Sequence, residues 1–207
     1  MDMYCSRHAA SIITNAFENM NCYHLLAAAG KQNIHFRNRG EQFIYCLRSG
    51  DAEVRRLSDD TIVSYLRAPV VSGLTLLPGG RIYHYLKTTM PAELIVVRHD
   101  RGLEVIAELN LWREAYLVTS DVANMFFIRD EACASRNVYG LVRQHLEMLW
   151  EMDETQRART SVFEFILNRT AISRSSLNKI LKDLSAGKYI QMHRGKLLKK
   201  ETLPHNY

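Results

Sequence analysis

Between Thr160 and Lys200, the side chains able to meet an anion stand in an ordered series. Leu177, Ile180, Leu181 and Leu184, at i, i+3, i+4 and i+7, predict a helix with one buried face. Arg174, Ser175, Asn178, Lys179 and Lys182 point away from those leucines. A guanidinium presents two parallel N–H donors that fit guanine O6 and N7 or a phosphate, whereas a lysine ammonium is a point charge suited to phosphate. Such a face is chemically fitted to meet nucleic acid. It does so only if flanking elements hold it out.

Those elements are legible. Val162, Phe163, Ile166 and Leu167 form a helical stripe within 161–167. Thr170-Ala171-Ile172 is short and partly β-branched, suited to a tight connection, and Ser173 offers a side-chain oxygen to cap the next helix. Gly187 is expected to stop that helix in the left-handed conformation. Tyr189–Met192 and Lys196–Lys199 then predict two strands around His193-Arg194-Gly195. Helix, tight turn, capped helix and basic hairpin in this order make a winged helix-turn-helix. In that arrangement the first turn of the second helix, with Arg174 and Ser175, meets base edges. Arg194, Lys196, Lys199 and Lys200 lie along phosphates. From Thr160 onward there are nine Lys/Arg and three Asp/Glu, a net of +6 in a chain whose total is +5. A solvated basic face on an ordinary helical subdomain would carry the same charge; the order of elements favours DNA binding.

The run from Ile172 to Leu184 resembles the recognition helix of the CRP/FNR superfamily of bacterial regulators, which reads Ser-Arg, two variable residues, an aliphatic residue, then a basic residue followed by Ile-Leu-Lys. Leu111-Trp112-Arg113-Glu114-Ala115 and the tail from Ser173 to Tyr207 look closer still to the enterobacterial IprA (YaiV)-type regulators, a divergent branch. The resemblance covers most of the chain and is specific mainly from Leu111 onward. It implies an α+β fold: an N-terminal cyclic-nucleotide-binding-like β-roll with flanking helices (1–109), a long dimerisation helix (110–133) and a C-terminal winged helix-turn-helix (134–207). It further implies a homodimer on a pseudo-palindromic operator, with double-stranded DNA as partner and RNA polymerase as a further one, in stress or virulence-associated gene control. By position, Arg174 and Lys179 match residues that read base edges, with Ser173 and Asn178 beside them. Ser175 stands where the family often has a longer, acidic side chain, which implies a different base preference. Lys182, Lys188, Arg194, Lys196 and Lys199 would contact phosphates, which position rather than specify.

The roll expected before this module departs from the family in its ligand chemistry. Short segments broken by turns run from Ile34 to Val105, among them Phe43–Leu47, Ala52–Leu57, Thr61–Tyr65, Arg81–Leu86 and Leu94–Val97. Cyclic-nucleotide readers use a Gly-Glu pair for the ribose and a later Arg followed by a small residue for the phosphate. Here Gly73 is followed by Leu74, and Arg81 by Ile82 and Tyr83. A buried phosphate would be poorly compensated. No cofactor and no dependence on cyclic nucleotide is therefore expected. Tyr83, His84 and Tyr85 would line a different pocket or simply pack.

Other stretches read more plainly. Residues 6–30 are expected to be helical, with Ile12, Ile13, Ala16, Phe17 and Met20 on one face and a stop at Gly30; a short helix is expected over 102–110. In the long helix from Leu111 to about Asp130, Trp112, Tyr116, Thr119, Ala123 and Phe126 form one stripe, and Ala115, Val118, Val122 and Met125 another. A helix apolar on two faces must bury both. One packs on the roll, and the other faces a second subunit or another part of the same chain. A hinge is expected over 131–137 with Asn137 as a cap. A helix through Tyr139, Val142, Leu146, Leu149 and Trp150 follows, ended near Thr155 by the acidic run 151–154.

Composition narrows the function classes. At 207 residues and 47% apolar content, the chain is an ordinary globular protein with no apolar run long enough to cross a bilayer. Its N-terminus lacks a secretory layout, so a cytoplasmic protein is expected. Cys5, Cys22, Cys46 and Cys133 are too widely spaced for a zinc, iron–sulfur or redox motif, and the Cys5/His8 and Cys22/His24 neighbours do not make a metal site. Neither a nucleotide-binding glycine loop nor a zincin or nucleophile-elbow motif is present, so no enzyme is expected. The alternative to DNA binding is a CRP-like shell that regulates through a protein partner.

Overall fold

The N-terminal helix α1 (Met3–Asn19) buries Ala9, Ala10, Ile13, Ala16 and Phe17 along one face. It ends eleven residues before Gly30, at a turn where Asn21 takes φ +50°. Asparagine tolerates that left-handed conformation better than most residues. The Tyr23–Ala28 stretch, expected as helix, is instead strand β1, paired antiparallel with β9 (Ala92–Arg98) from Tyr23↔Val97 to Ala28↔Ala92. Its composition suits a helix, but the open edge of β9 offers a row of backbone partners that outweighs so weak a propensity.

In this computed structural model, residues 3–134 and 138–204 are described, with side chains given for 6–128, 130 and 138–204. The chain divides into two compact units, Met1–Phe126 and Phe127–Tyr207. In the first, β2 (Asn33–His35), β3 (Arg37–Asn38), β4 (Glu41–Ser49), β5 (Asp51–Arg56), β6 (Ile62–Arg67), β7 (Val70–Ser72) and β8 (His84–Thr88) complete the strand set with β1 and β9. One sheet runs β1-β9-β4-β3 with β7 also on β4, and the other runs β2-β8-β5-β6. All pairings are antiparallel. The segment 81–83, expected within a strand, precedes β8, and β2, β3 and β7 were too short to show a period.

The central strands explain how the roll is held. On β4, Ile44 and Cys46 join one cluster while Tyr45 and Leu47 join another; on β9, Ile95 and Val97 alternate in the same way with Leu94 and Val96. Successive side chains of a strand point to opposite faces, so these two strands are apolar on both. The first cluster adds α1, α2 (His99–Glu108) and Ala115 and Val118 of α3 (Trp112–Ala134). The second fills the roll, where Ile34, Ala52 and Leu86 of the other sheet join Ala28, Phe36 and Ala92. Among the described residues, His99 Nε2 is the buried side-chain N/O atom left without a partner, and burial holds its imidazole below the ordinary value of 6.5.

On α3 the two expected stripes part company. Ala115 and Val118 are buried, while Trp112 and Tyr116 are 53% and 66% exposed. Thr119 and Ala123 are half-buried, and the Phe126 ring stands 5.8 Å from that of His84. Residues 131–134 continue the helix; Asn137, expected as a cap, lies outside the described residues, as do the side chains of Cys5 and Cys133.

The second unit packs α4 (Val138–Glu151), α6 (Val162–Leu167) and α7 (Arg174–Ala186) with the hairpin of β10 (Ile190–His193) and β11 (Lys196–Lys200). Its core joins Tyr139, Val142, Leu146 and Leu149 to Val162, Phe165 and Ile166, and to Leu177, Ile180, Leu181 and Leu184, closed by Ile190, Leu197 and Leu203. The Tyr139 hydroxyl donates to the Pro204 carbonyl at 2.7 Å and straps the C-terminal tail to α4. A short helix α5 (Glu154–Arg159) lies where only the end of the preceding helix was expected. Asp153 accepts from the Gln156 N–H at 3.0 Å, so the acidic run ends one helix and begins the next.

The roll offers a nucleotide little. Leu74 packs against the helical cluster, and the Arg81 guanidinium lies 5.3 Å from the Tyr83 ring centroid. Tyr85 stacks on His35 and donates to the Asp60 carboxylate, so the three consecutive aromatics do not converge on one pocket. Cyclic AMP or cyclic GMP at millimolar concentration is therefore expected to leave the melting temperature unchanged. A ligand at about a hundred times its dissociation constant would add roughly 2.7 kcal/mol and show plainly in the melting curve.

Candidate nucleic-acid interface

The N-terminus of α7 is built by serines. Ser173 accepts from the Ser176 N–H at 3.1 Å, and its hydroxyl also bonds those of Ser175 and Ser176 at 3.0 and 2.8 Å. This cap starts the helix where Arg174 is its first residue. Arg174 is exposed, and its guanidinium lies 5.5 Å from the ring centroid of Phe163, in the first turn of α6. An arginine over an aromatic face keeps its fork of donors while losing some rotamer freedom. Asn178, Lys179 and Lys182 continue the exposed face opposite the buried leucines.

The other end of α7 stops differently from expectation. Gly187 has φ −75°, so it is not the left-handed residue; Lys188, at φ +61°, is. The Tyr189 N–H donates to Leu184 O at 2.9 Å and the Lys188 N–H to Ser185 O at 3.0 Å, the paired bonds of a Schellman stop. Glycine at 187 serves another purpose, because a Cβ there would stand 2.7 Å from the Tyr189 ring. Its role is close approach.

The wing turns tightly. His193 pairs with Lys196, and Arg194 and Gly195 between them take φ +47° and +77°. Two positive φ values in a two-residue loop make a type I′ turn, whose twist matches the strands. The turn is tied to the helix-turn-helix: the Val162 N–H donates to Gly195 O at 2.9 Å, and the Lys196 ammonium donates to Arg159 O. Thus the first turn of α6 touches the wing tip through Val162 and the start of α7 through Phe163.

The residues expected to meet DNA accordingly fall into two groups. Ser173, Arg174, Ser175, Asn178, Lys179 and Lys182 lie along α7, with Arg194 and Lys196 joined to its start through α6. Lys188 and Lys199 instead flank a cavity of about 290 Å³ beyond the end of α7, lined also by Ser185, Tyr189, Ile190, Gln191 and Glu201. Lys199 is bound to Glu201 at 2.6 Å; the pairing raises the pKa of the ammonium and lowers that of the carboxylate. Sequence reasoning missed α5 and with it Arg157, whose guanidinium donates to the Trp150 and Met152 carbonyls and lies 4.2 Å from the Trp150 ring centroid. The missed signal was the cap pattern of Asp153 with Gln156.

Charge pairing separates the units. In the roll unit Arg48, Arg55, Arg56, Arg67, Arg98, Arg101 and Arg113 each hold a carboxylate. In the second unit, Arg143 and Lys199 do. Among the described residues, Arg159, Arg174, Lys179, Lys182, Lys188, Arg194 and Lys196 have no carboxylate within ion-pair distance. No group of three or more His, Cys, Asp or Glu is disposed to hold a metal ion, and no helix is long and apolar enough to cross a membrane, among the described residues.

Comparison with known proteins places this unit. Residues 138–205 match the family described as winged helix-turn-helix DNA binding. The protein named inhibitor of hydrogen peroxide resistance in Salmonella typhimurium LT2 is 27% identical over 209 residues, covering 100% of this chain and 94% of its own. The protein of that name in Escherichia coli K12 is 26% identical over 185 residues, covering 86% of each. The fold is that of the c-di-GMP-responsive global regulator CLP of Xanthomonas campestris, at 14% identity with a TM-score of 0.72 over 93% of this chain and 100% of that one. A protein from Eubacterium rectale assigned to the CRP/FNR family of transcriptional regulators aligns at 13% identity and a TM-score of 0.61, over 90% and 88% of the two chains.

The Schellman stop yields a stability test. A lysine in the left-handed conformation carries a steric cost that glycine lacks. Lys188→Gly is expected to raise the unfolding free energy by roughly 0.5–1 kcal/mol, net of glycine's greater unfolded-state freedom. Ser173→Ala should lower it by about 1 kcal/mol through loss of the cap. Urea melts of the two variants check both signs.

Proposed function

Since residues 138–205 belong to the winged helix-turn-helix DNA-binding family, within a chain that has the fold of CRP/FNR regulators, we propose a homodimeric, sequence-specific transcription regulator of a pseudo-palindromic operator. The observation that carries this reading is the row of cations without carboxylate partners on α7 and the wing tip, whereas seven arginines of the roll unit hold carboxylates. Uncompensated, exposed positive charge along one edge is what a phosphate backbone neutralises, with release of counterions. Within the row, Arg174 and Lys179 read base edges, with Ser173, Ser175 and Asn178 beside them. Lys182, Arg194 and Lys196 position the backbone. Lys188 and Lys199 serve phosphates at the flank, Lys199 after leaving Glu201.

The exposed stripe of α3 supports the dimer. Trp112 and Tyr116, with Thr119, Ala123 and Phe126, present apolar surface on a helix whose other face is already buried in the roll unit. A second copy of the same stripe covers it, and two recognition helices then face two half-sites. Regulation works without cyclic nucleotide, in the cytoplasm, with RNA polymerase as a further partner. The name carried by the relatives directs the proposal to genes that govern survival of hydrogen peroxide.

Selection of bound sequences from a random duplex pool tests the reading; recovery of no enriched sequence would favour regulation through a protein partner instead. With the operator in hand, Arg174→Ala should cost about 1–3 kcal/mol on the operator and relax preference at one base pair. Arg194→Ala should weaken operator and scrambled duplex alike. Separately, Tyr116→Glu is expected to give folded monomers in sedimentation at micromolar concentration, where the unaltered protein sediments as a dimer.

A further inference from the structure

We infer that Arg159, at the C-terminal end of α5, is a DNA-phosphate contact that forms one clamp with Arg194 across the wing tip; this rests on the DNA-binding reading above. Three observations converge on it. The Arg159 carbonyl accepts from the Lys196 ammonium, which fixes the end of α5 beside the wing turn. Three residues on, the Val162 N–H holds Gly195 O at 2.9 Å, so the 159–162 stretch runs alongside the turn formed by Arg194 and Gly195. Both arginines are exposed, and among the described residues neither has a carboxylate within ion-pair distance.

The contrast with Arg157 supports the assignment. That residue, two positions earlier on the same short helix, spends its guanidinium on the Trp150 and Met152 carbonyls and the Trp150 ring. It holds the end of α4 to α5. Among the described residues, no hydrogen bond or ion pair engages the Arg159 side chain, while its backbone carbonyl holds the Lys196 ammonium. The bridge through α6, from Gly195 via Val162 and Phe163 to Arg174, puts the pair at the same end of the unit as the start of the recognition helix. A duplex seated on Arg174 therefore has its neighbouring phosphates within the span of the wing tip. Two forked guanidinium groups from separate elements suit a phosphodiester oxygen pair better than a lysine point charge does.

The test is a salt series of binding to a 30-base-pair duplex of arbitrary sequence, read by fluorescence anisotropy with the full chain. The slope of log K against log salt should become shallower by about 0.9 in Arg159→Ala, and Arg159→Lys should keep the original slope. Arg39→Ala, an exposed arginine of the roll unit, should leave it unchanged. Because the backbone carbonyl remains, the melting temperature of Arg159→Ala should match that of the unaltered protein. An unchanged slope in Arg159→Ala overturns the clamp while the DNA-binding reading stands. Failure of the unaltered protein to bind the duplex at low salt overturns the reading and the clamp together.

Discussion

The hydrogen bond from the Val162 N–H to the Gly195 carbonyl is the constraint on which the DNA-facing edge depends. It lies at the first turn of α6, where Ser161 caps the helix and Phe163 carries the Arg174 guanidinium over its ring. That turn ties the wing tip to the start of the recognition helix, in addition to the core that Ile190 and Leu197 share with the leucines of α7. With it, wing and helix present one surface whose shape is set by backbone geometry rather than by long side chains. The type I′ turn at Arg194-Gly195 contributes by placing the carbonyl at the tip of a short, twisted hairpin.

Electrostatics follow the same division. The roll unit is dense in arginine, yet much of that charge is neutralised locally: Arg55 is held by Glu53 and Asp60 with its side chain 12% exposed, and Arg101 by Glu104 and Glu108. The exposed pairs among these add little stability, but each offsets positive charge on the roll. The winged unit leaves its cations uncompensated along one edge. On the proposed reading, specificity and affinity separate in space, with base-reading side chains at the start of α7 and positioning charges around the wing.

The interior of the roll is filled with side chains. The two-faced strands β4 and β9 must bury apolar groups on both sides, and the inner cluster from Ala28 to Val96 does so within the roll. Burial pushes Cys46 up to about 12, and Cys22 is also raised above its ordinary 9.0, so both are held as protonated thiols.

Periodicity and capping residues by themselves determined the winged unit, because its contacts are local in sequence. Leucines every three or four residues define α7, Ser173 starts it, and Arg194-Gly195 between two short strands defines the wing. The same logic located β4, β5, β9 and both apolar stripes of α3. It failed where partners are distant. The Tyr23–Ala28 segment reads as helix, and only the edge of β9, seventy residues away, makes it a strand. At the end of α7, Gly187 reads as the left-handed stop, but Lys188 takes that conformation and the Tyr189 ring lies where a Cβ at 187 would stand. Arg159 carries no signal in its spacing; its place beside Arg194 exists only because a hairpin folds back to bond with α5 and α6. Local propensities are worth tenths of a kcal/mol per residue, so a strand edge, a ring or a buried backbone donor overrides them wherever the fold brings one close.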